Sequence, residues 1–164
     1  MNLVPVKIQP YFEMKSQTMD GDNRLIEGTL KCCYDSDFEV FFAGEIKCGF
    51  FPKMFLTSGN DNIALKARCK KCGRTISVFN SSIDGYEHCE EKQNSICLST
   101  RALICKKCQD NSYSVSIKYE YPDEQELRDL EISDIDNAFS WIWITLECNN
   151  CGTKYKNIVD CETT

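Results

Sequence analysis

Histidine is almost missing from this chain of 164 residues, where His88 stands alone. That scarcity removes most acid–base and nucleophilic catalysis at neutral pH, because a Ser or Cys nucleophile ordinarily needs an imidazole partner. Neither a GxGxxG pattern nor a P-loop occurs, so the familiar phosphate-cradling turns are absent as well. No apolar run reaches the eighteen residues of a membrane-spanning helix. The opening MNLVPVKIQPYFEMKSQ lacks the basic and then apolar regions of a secretory leader. A soluble protein of the reducing cytoplasm is the expectation. Basic residues are also few, 19 against 25 acids for a net charge of −6, a poor composition for neutralising phosphates along a nucleic acid. Residues 119 to 136 hold eight of those acids and one Arg, so the rest of the chain is close to neutral.

Cysteine is what the sequence has in excess, with twelve residues. In a reducing compartment clustered cysteines hold metal more often than they form disulfides. RCKKCGR carries Cys69 and Cys72, ICKKCQ carries Cys105 and Cys108, and ECNNCG carries Cys148 and Cys151. The two-residue spacer lets the chain reverse so that both sulfurs face one ion, and Gly73 or Gly152 relieves the backbone just after the second sulfur.

The chain also repeats itself. With Cys69 laid on Cys148, Ile63, Leu65 and Ala67 fall on Ile142, Ile144 and Leu146. LKCCYDSDFEV, from Leu30, lies over LICKKCQDNSYSV, from Leu103, once two residues are skipped in the first copy, which sets Phe38 and Val40 on Tyr113 and Val115. The intervals from Cys33 to Cys69 and from Cys108 to Cys148 are similar, 35 and 39 residues. Two features recurring in one order point to a duplication.

Alternation and β-branched content predict strands at 4–8, 38–43, 63–68, 75–79, 112–119, 140–147 and 154–159. A helix is predicted from Asp123 to about Glu131, with acids in its first turn. SGNDN at 58–62 and NSSIDG at 80–85 read as turns. The expected fold is mainly β: two tandem units at 1–85 and 101–164, a linker at 86–100, and one short helix in the second unit.

From Ala102 to Val159 the paired CxxC motifs resemble the zinc ribbon, a family of small β-modules in which two cysteine knuckles clamp one zinc. The whole is similar to bacterial zinc-ribbon proteins. The resemblance implies a second-half centre of Cys105, Cys108, Cys148 and Cys151. In the first half Cys69 and Cys72 would be joined by the adjacent Cys32 and Cys33, which depart from the pattern. Neighbours in a strand point apart, so both can ligate only where the backbone turns sharply. Cys48 is the alternative fourth ligand. Cys48, Cys89, Cys97 and Cys161 are otherwise small hydrophobes or inert thiols.

Two zinc ions are therefore expected. Four thiolates leave no open position, so each ion would be structural rather than catalytic, and no enzyme activity is expected. Lys66, Arg68, Lys70, Lys71 and Arg74 around the first knuckle either offset thiolate charge or meet nucleic acid. The leading expectation is a protein-interaction module, contacting its partner through Trp141 and Trp143, which face opposite Ile142 and Ile144, or through Phe51 in GFFPKMF. A nucleic-acid-binding ribbon is the first alternative. A CKKC thiol oxidoreductase is the second, although TISVF after the knuckle replaces the activating helix that such dithiols use.

Overall fold

The computed structural model describes residues 4–57, 62–89 and 98–163. The fold is mainly β with one short α-helix among these residues. Its strands in chain order are β1 (Phe12–Asp20), β2 (Asn23–Leu30), β3 (Phe38–Ala43), β4 (Glu45–Cys48), β5 (Met54–Thr57), β6 (Ala64–Cys69), β7 (Thr75–Asn80), β8 (Arg101–Ala102), β9 (Tyr113–Tyr121), β10 (Trp141–Cys148) and β11 (Lys154–Glu162), with helix α1 at Glu124–Asp129.

Strand β9 organises the sheet because its sequence, YSVSIKYEY, alternates without a break and buries every odd position. One edge pairs with β10, which pairs with β11. The other edge takes β2 and then, at Phe38↔Tyr113, the start of β3. Beyond β3 come β6 and β7. Every pairing is antiparallel, and the curled sheet wraps an aromatic core. Phe139 sits at its centre, with ring centroids 5.0 Å from Tyr119 and 6.3 Å from Phe79 and from Tyr121.

The registers of the two halves correspond. Phe38 lies opposite Cys69 and Tyr113 opposite Cys148; Val40 opposes Ala67 and Val115 opposes Leu146. The pairings across the halves are reciprocal. Thr29, three residues before Cys32, pairs with Ser116 of β9, and Ala102, three residues before Cys105, pairs with Phe41 of β3. Strands from both predicted units, 1–85 and 101–164, thus join in one sheet, β2 pairing with β9 and β8 with β3, while β4 and β5 pair separately. The linker predicted at 86–100 and Cys97 lie largely or wholly outside the described residues.

One expectation needs correction. The strand predicted at 4–8 is a turn, in which Ile8 N–H donates to Pro5 O at 2.7 Å. Pro5 cannot donate to a ladder, and Val4 and Ile8 act instead as buried plugs. Helix α1 packs its Leu127 with Ile132 and Ala138. Trp141 and Trp143 cover each other, stacked at 5.6 Å and 15°, with Lys118 4.9 Å from the Trp143 ring centroid. Trp141 Nε1 donates to Asp160 at 2.6 Å.

Much of the acidic stretch finds internal partners. Glu120 accepts from Asn23 at 2.9 Å, Glu124 pairs with Arg24 and Arg128, and Asp136 accepts from Gln9 at 3.2 Å. Sequence reading missed the hairpin β1–β2, which turns at Gly21, φ 61°, between the paired Asp20 and Asn23.

Candidate metal centres

Three knuckles share one backbone design. Cys69 N–H donates to Arg74 O and Gly73 N–H returns to Cys69 O, both at 2.8 Å. Cys105 with Asp110 and Gln109, and Cys148 with Thr153 and Gly152, repeat the pair at the same 2.8 Å. The residue after the second cysteine is left-handed each time, at φ 75° for Gly73, 63° for Gln109 and 74° for Gly152. A Cβ at Gly73 or Gly152 would meet nothing within 4 Å, so it is the dihedral rather than space that favours glycine there.

The fourth knuckle is built differently, and its geometry resolves the adjacent cysteines. Cys32 and Asp35 exchange backbone hydrogen bonds at 2.9 Å in each direction, around Cys33 at φ 52° and Tyr34 at φ 60°. Two consecutive left-handed residues make the tight turn that brings both sulfurs to one side. Cys32 and Cys33 sulfurs are 4.0 Å apart, and Cys32 is 3.6 Å from Cys72.

Two clusters result: Cys32, Cys33, Cys69 and Cys72, and Cys105, Cys108, Cys148 and Cys151, the sulfurs of each all lying within 4.8 Å of one another. In the second cluster Cys105 is 3.6 Å from Cys151 and Cys108 is 3.5 Å from Cys148. Zinc bonds of about 2.3 Å in a tetrahedron set sulfurs about 3.8 Å apart, whereas a disulfide requires about 2.05 Å. Both donor sets therefore fit a four-thiolate metal ion, and zinc suits them. These are the eight cysteines singled out from the sequence.

The other cysteines stand apart. Cys48 is exposed at the end of β4 and touches Lys106 Nζ, Cys89 donates to Gly85 O at 3.4 Å, and Cys161 lies half-buried on β11. Beside Cys89, His88 Nε2 meets Ser81 O at 3.0 Å; no third cluster forms among the described residues.

The surroundings tune the thiols unequally. Burial pushes Cys32 and Cys148 up to about 12, so ion binding at those sulfurs must displace a proton. Cys72 is brought down to about 7, first by the Arg74 backbone amide. Burial would raise Cys105, but the Tyr155 hydroxyl and the amides of Cys108 and Lys107 outweigh it and leave the thiol at about 6. Tyr155 is fully buried; its hydroxyl accepts from Lys106 N–H at 3.0 Å and donates to Cys105 at 3.3 Å. Sequence reading missed this residue, whose only signal is an inward-facing aromatic four positions past Cys151. Outer-shell donors of this kind are worth about 10–100-fold in metal affinity. Tyr155→Phe is therefore expected to weaken zinc binding at the second centre about ten-fold and to shift its half-loading point to higher pH, since Cys105 would ionise less readily. Competition with a zinc chelator across pH checks both; unchanged affinity would contradict the role.

A polar bridge links the centres. Asn149 Nδ2 donates to Ser36 O at 3.4 Å and to Asp37 at 3.3 Å, and Ser114 Oγ joins Asn149 at 2.7 Å. The fold and sites define a mainly-β protein with two four-cysteine centres able to hold metal ions. Comparisons of the chain with protein-family models, curated proteins and solved structures found no match. No helix among the described residues is long and apolar enough to cross a membrane.

Proposed function

We propose that this is a noncatalytic zinc protein in which two structural ions staple a duplicated, strand-exchanged sheet, so that it presents a rigid surface to another protein. The matching registers and the reciprocal pairing of β2 with β9 and β8 with β3 support the duplication.

The observation that carries the interaction role is the hairpin of β4 and β5. Met54 and Leu56 point into the core at 2% and 6% exposure, while Phe50, Phe51 and Phe55 face solvent at 94%, 59% and 42%. Three exposed phenylalanines on one hairpin form the apolar anchor that binding surfaces concentrate. Trp141 and Trp143, the other candidates, already spend their faces on each other and on Lys118.

Charge disfavours the nucleic-acid alternative. Arg68 is committed to Glu39 at 2.6 Å, and Arg74 reaches the Tyr11 hydroxyl at 3.4 Å. Cys72 leads into β7 and not into a helix, which supports a structural over an oxidoreductase role for CKKC.

Replacing Phe50 and Phe51 together by Ser is expected to leave the circular dichroism spectrum and zinc content unchanged and to weaken partner binding about 30-fold or more, the scale of a hot spot. Affinity capture with the folded wild type and variant, followed by titration of the captured protein, measures this. Equal binding by the two would remove the hairpin from the interface.

A further inference from the structure

The two centres differ in access. Cys33 and Cys72 are exposed and open into a cleft of about 520 Å³ that Tyr11, Lys31 and Arg74 also line. In the second centre no cysteine is exposed, and Tyr155 seals Cys105 from within. The position that corresponds to Tyr155 in the first half is Ile76, which offers no hydroxyl.

The first centre also has one strained ligand. Cys33 and Tyr34 are both left-handed without being glycine, a conformation that costs an L-residue free energy and persists only while something holds it. Tyr34 packs on nothing, at 105% exposure, so relaxing the turn sacrifices no burial. Cys32, next to Cys33, is 6% exposed and lies two residues past the end of β2, held by its backbone bridge to Asp35.

We propose that the first centre is a zinc-exchange site that hands its ion to an incoming thiol through this cleft, while the second centre keeps its ion; this rests on the two-zinc reading above. The thiol sulfur bonds to zinc, the bond from zinc to the Cys33 sulfur breaks, and the thiol's proton ends on Cys33. No electrons are exchanged. The released turn relaxes, Cys72 is the next sulfur reached from the cleft, and the buried Cys32 and Cys69 are the last to let go.

The test uses the full chain loaded with zinc and its initial content measured. Dithiothreitol is the incoming thiol, a chromophoric chelator reports released ion, and pulses of N-ethylmaleimide followed by peptide mass mapping locate the freed cysteines. One ion per chain is expected to leave at least about ten-fold faster than the other, at a rate that rises with dithiothreitol concentration. Early labelling falls on Cys33 and Cys72 and spares Cys105, Cys108, Cys148 and Cys151. Tyr34→Gly, which keeps every ligand and suits the left-handed position, is expected to slow the fast phase about five-fold. Loss of both ions at one rate, or a fast phase independent of thiol concentration, would overturn the exchange role and leave two structural zincs. Fewer than two ions at the outset would overturn the two-zinc reading and the exchange with it.

Discussion

Cys148→Ser is expected to abolish metal binding at the second centre and to cost the protein its cooperative fold. Cys148 ends β10, is fully buried, and lies opposite Tyr113 at the seam where β9 meets β3. Removing its sulfur leaves three buried or half-buried thiols converging without an ion. Structural zinc contributes on the order of 10–16 kcal/mol of binding free energy in small modules, which matches or exceeds the roughly 5–15 kcal/mol net stability of a domain. The loss cannot be absorbed by the remaining core. The expected readout is one zinc per chain or none, with the thermal transition broadened or absent. Cys48→Ser, at an exposed thiol outside both clusters, should leave the transition where it was. A Cys148→Ser protein melting like the wild type would mean that the centre contributes little to the fold.

The second large effect lies far from any cysteine. Gly28 sits in β2 under the ring of Phe12, and a Cβ there would lie 2.4 Å from Glu13 O and 2.5 Å from Phe12 Cζ. The first obstacle is backbone of the paired strand β1, which cannot move without breaking the ladder. The second is a ring that reaches inward to Tyr119, 6.2 Å between centroids. Gly28→Ala must therefore displace β1 or expel Phe12 from the core. Overpacking of this kind costs about 3 kcal/mol, which for a chain of this size lowers the melting temperature by about 10 °C. Zinc content should be unaffected. A melting temperature within a degree or two of the wild type would show that β1 is held more loosely than its pairing with β2 indicates.

These two sites differ in how visible they were beforehand. Three of the four knuckles could be read from spacing alone, since CxxC is a local device, and the strands leading into them follow local alternation. The hairpin β1–β2 escaped notice because eight of the nine β1 residues are exposed, leaving no buried face to impose alternation. Only the DG pair at its turn signalled it. The strand exchange was invisible for another reason: Thr29 and Ala102 carry no mark of their partners, which lie 87 and 61 residues away, as the pairs Thr29↔Ser116 and Phe41↔Ala102 show. Pairing at that distance is decided by the closed sheet and by no segment of it. The turn at Cys33 and Tyr34 was legible only as a requirement, because neither residue type announces a left-handed backbone. Gln109 at φ 63° makes the same point, holding a glycine's conformation while its side chain donates to Lys106 O at 3.2 Å.

The proposed duplication would also account for how one half can differ from the other. Once each unit lends a strand to its neighbour, the sheet is held at both ends, and Asn149 ties the turn after Cys33 to the second centre. A knuckle shortened to adjacent cysteines is then tolerated in the first half. A half standing alone would have only its own hairpins to oppose that strain.

Metal stoichiometry tests the central claim most directly. Elemental analysis of protein purified without oxygen, paired with a thiol count on the denatured, chelator-treated chain, should give two zinc ions per molecule and all twelve cysteines as free thiols. No metal, together with fewer than twelve thiols, would contradict the account: the paired cysteines would then be an oxidised framework and the two clusters would not be metal centres.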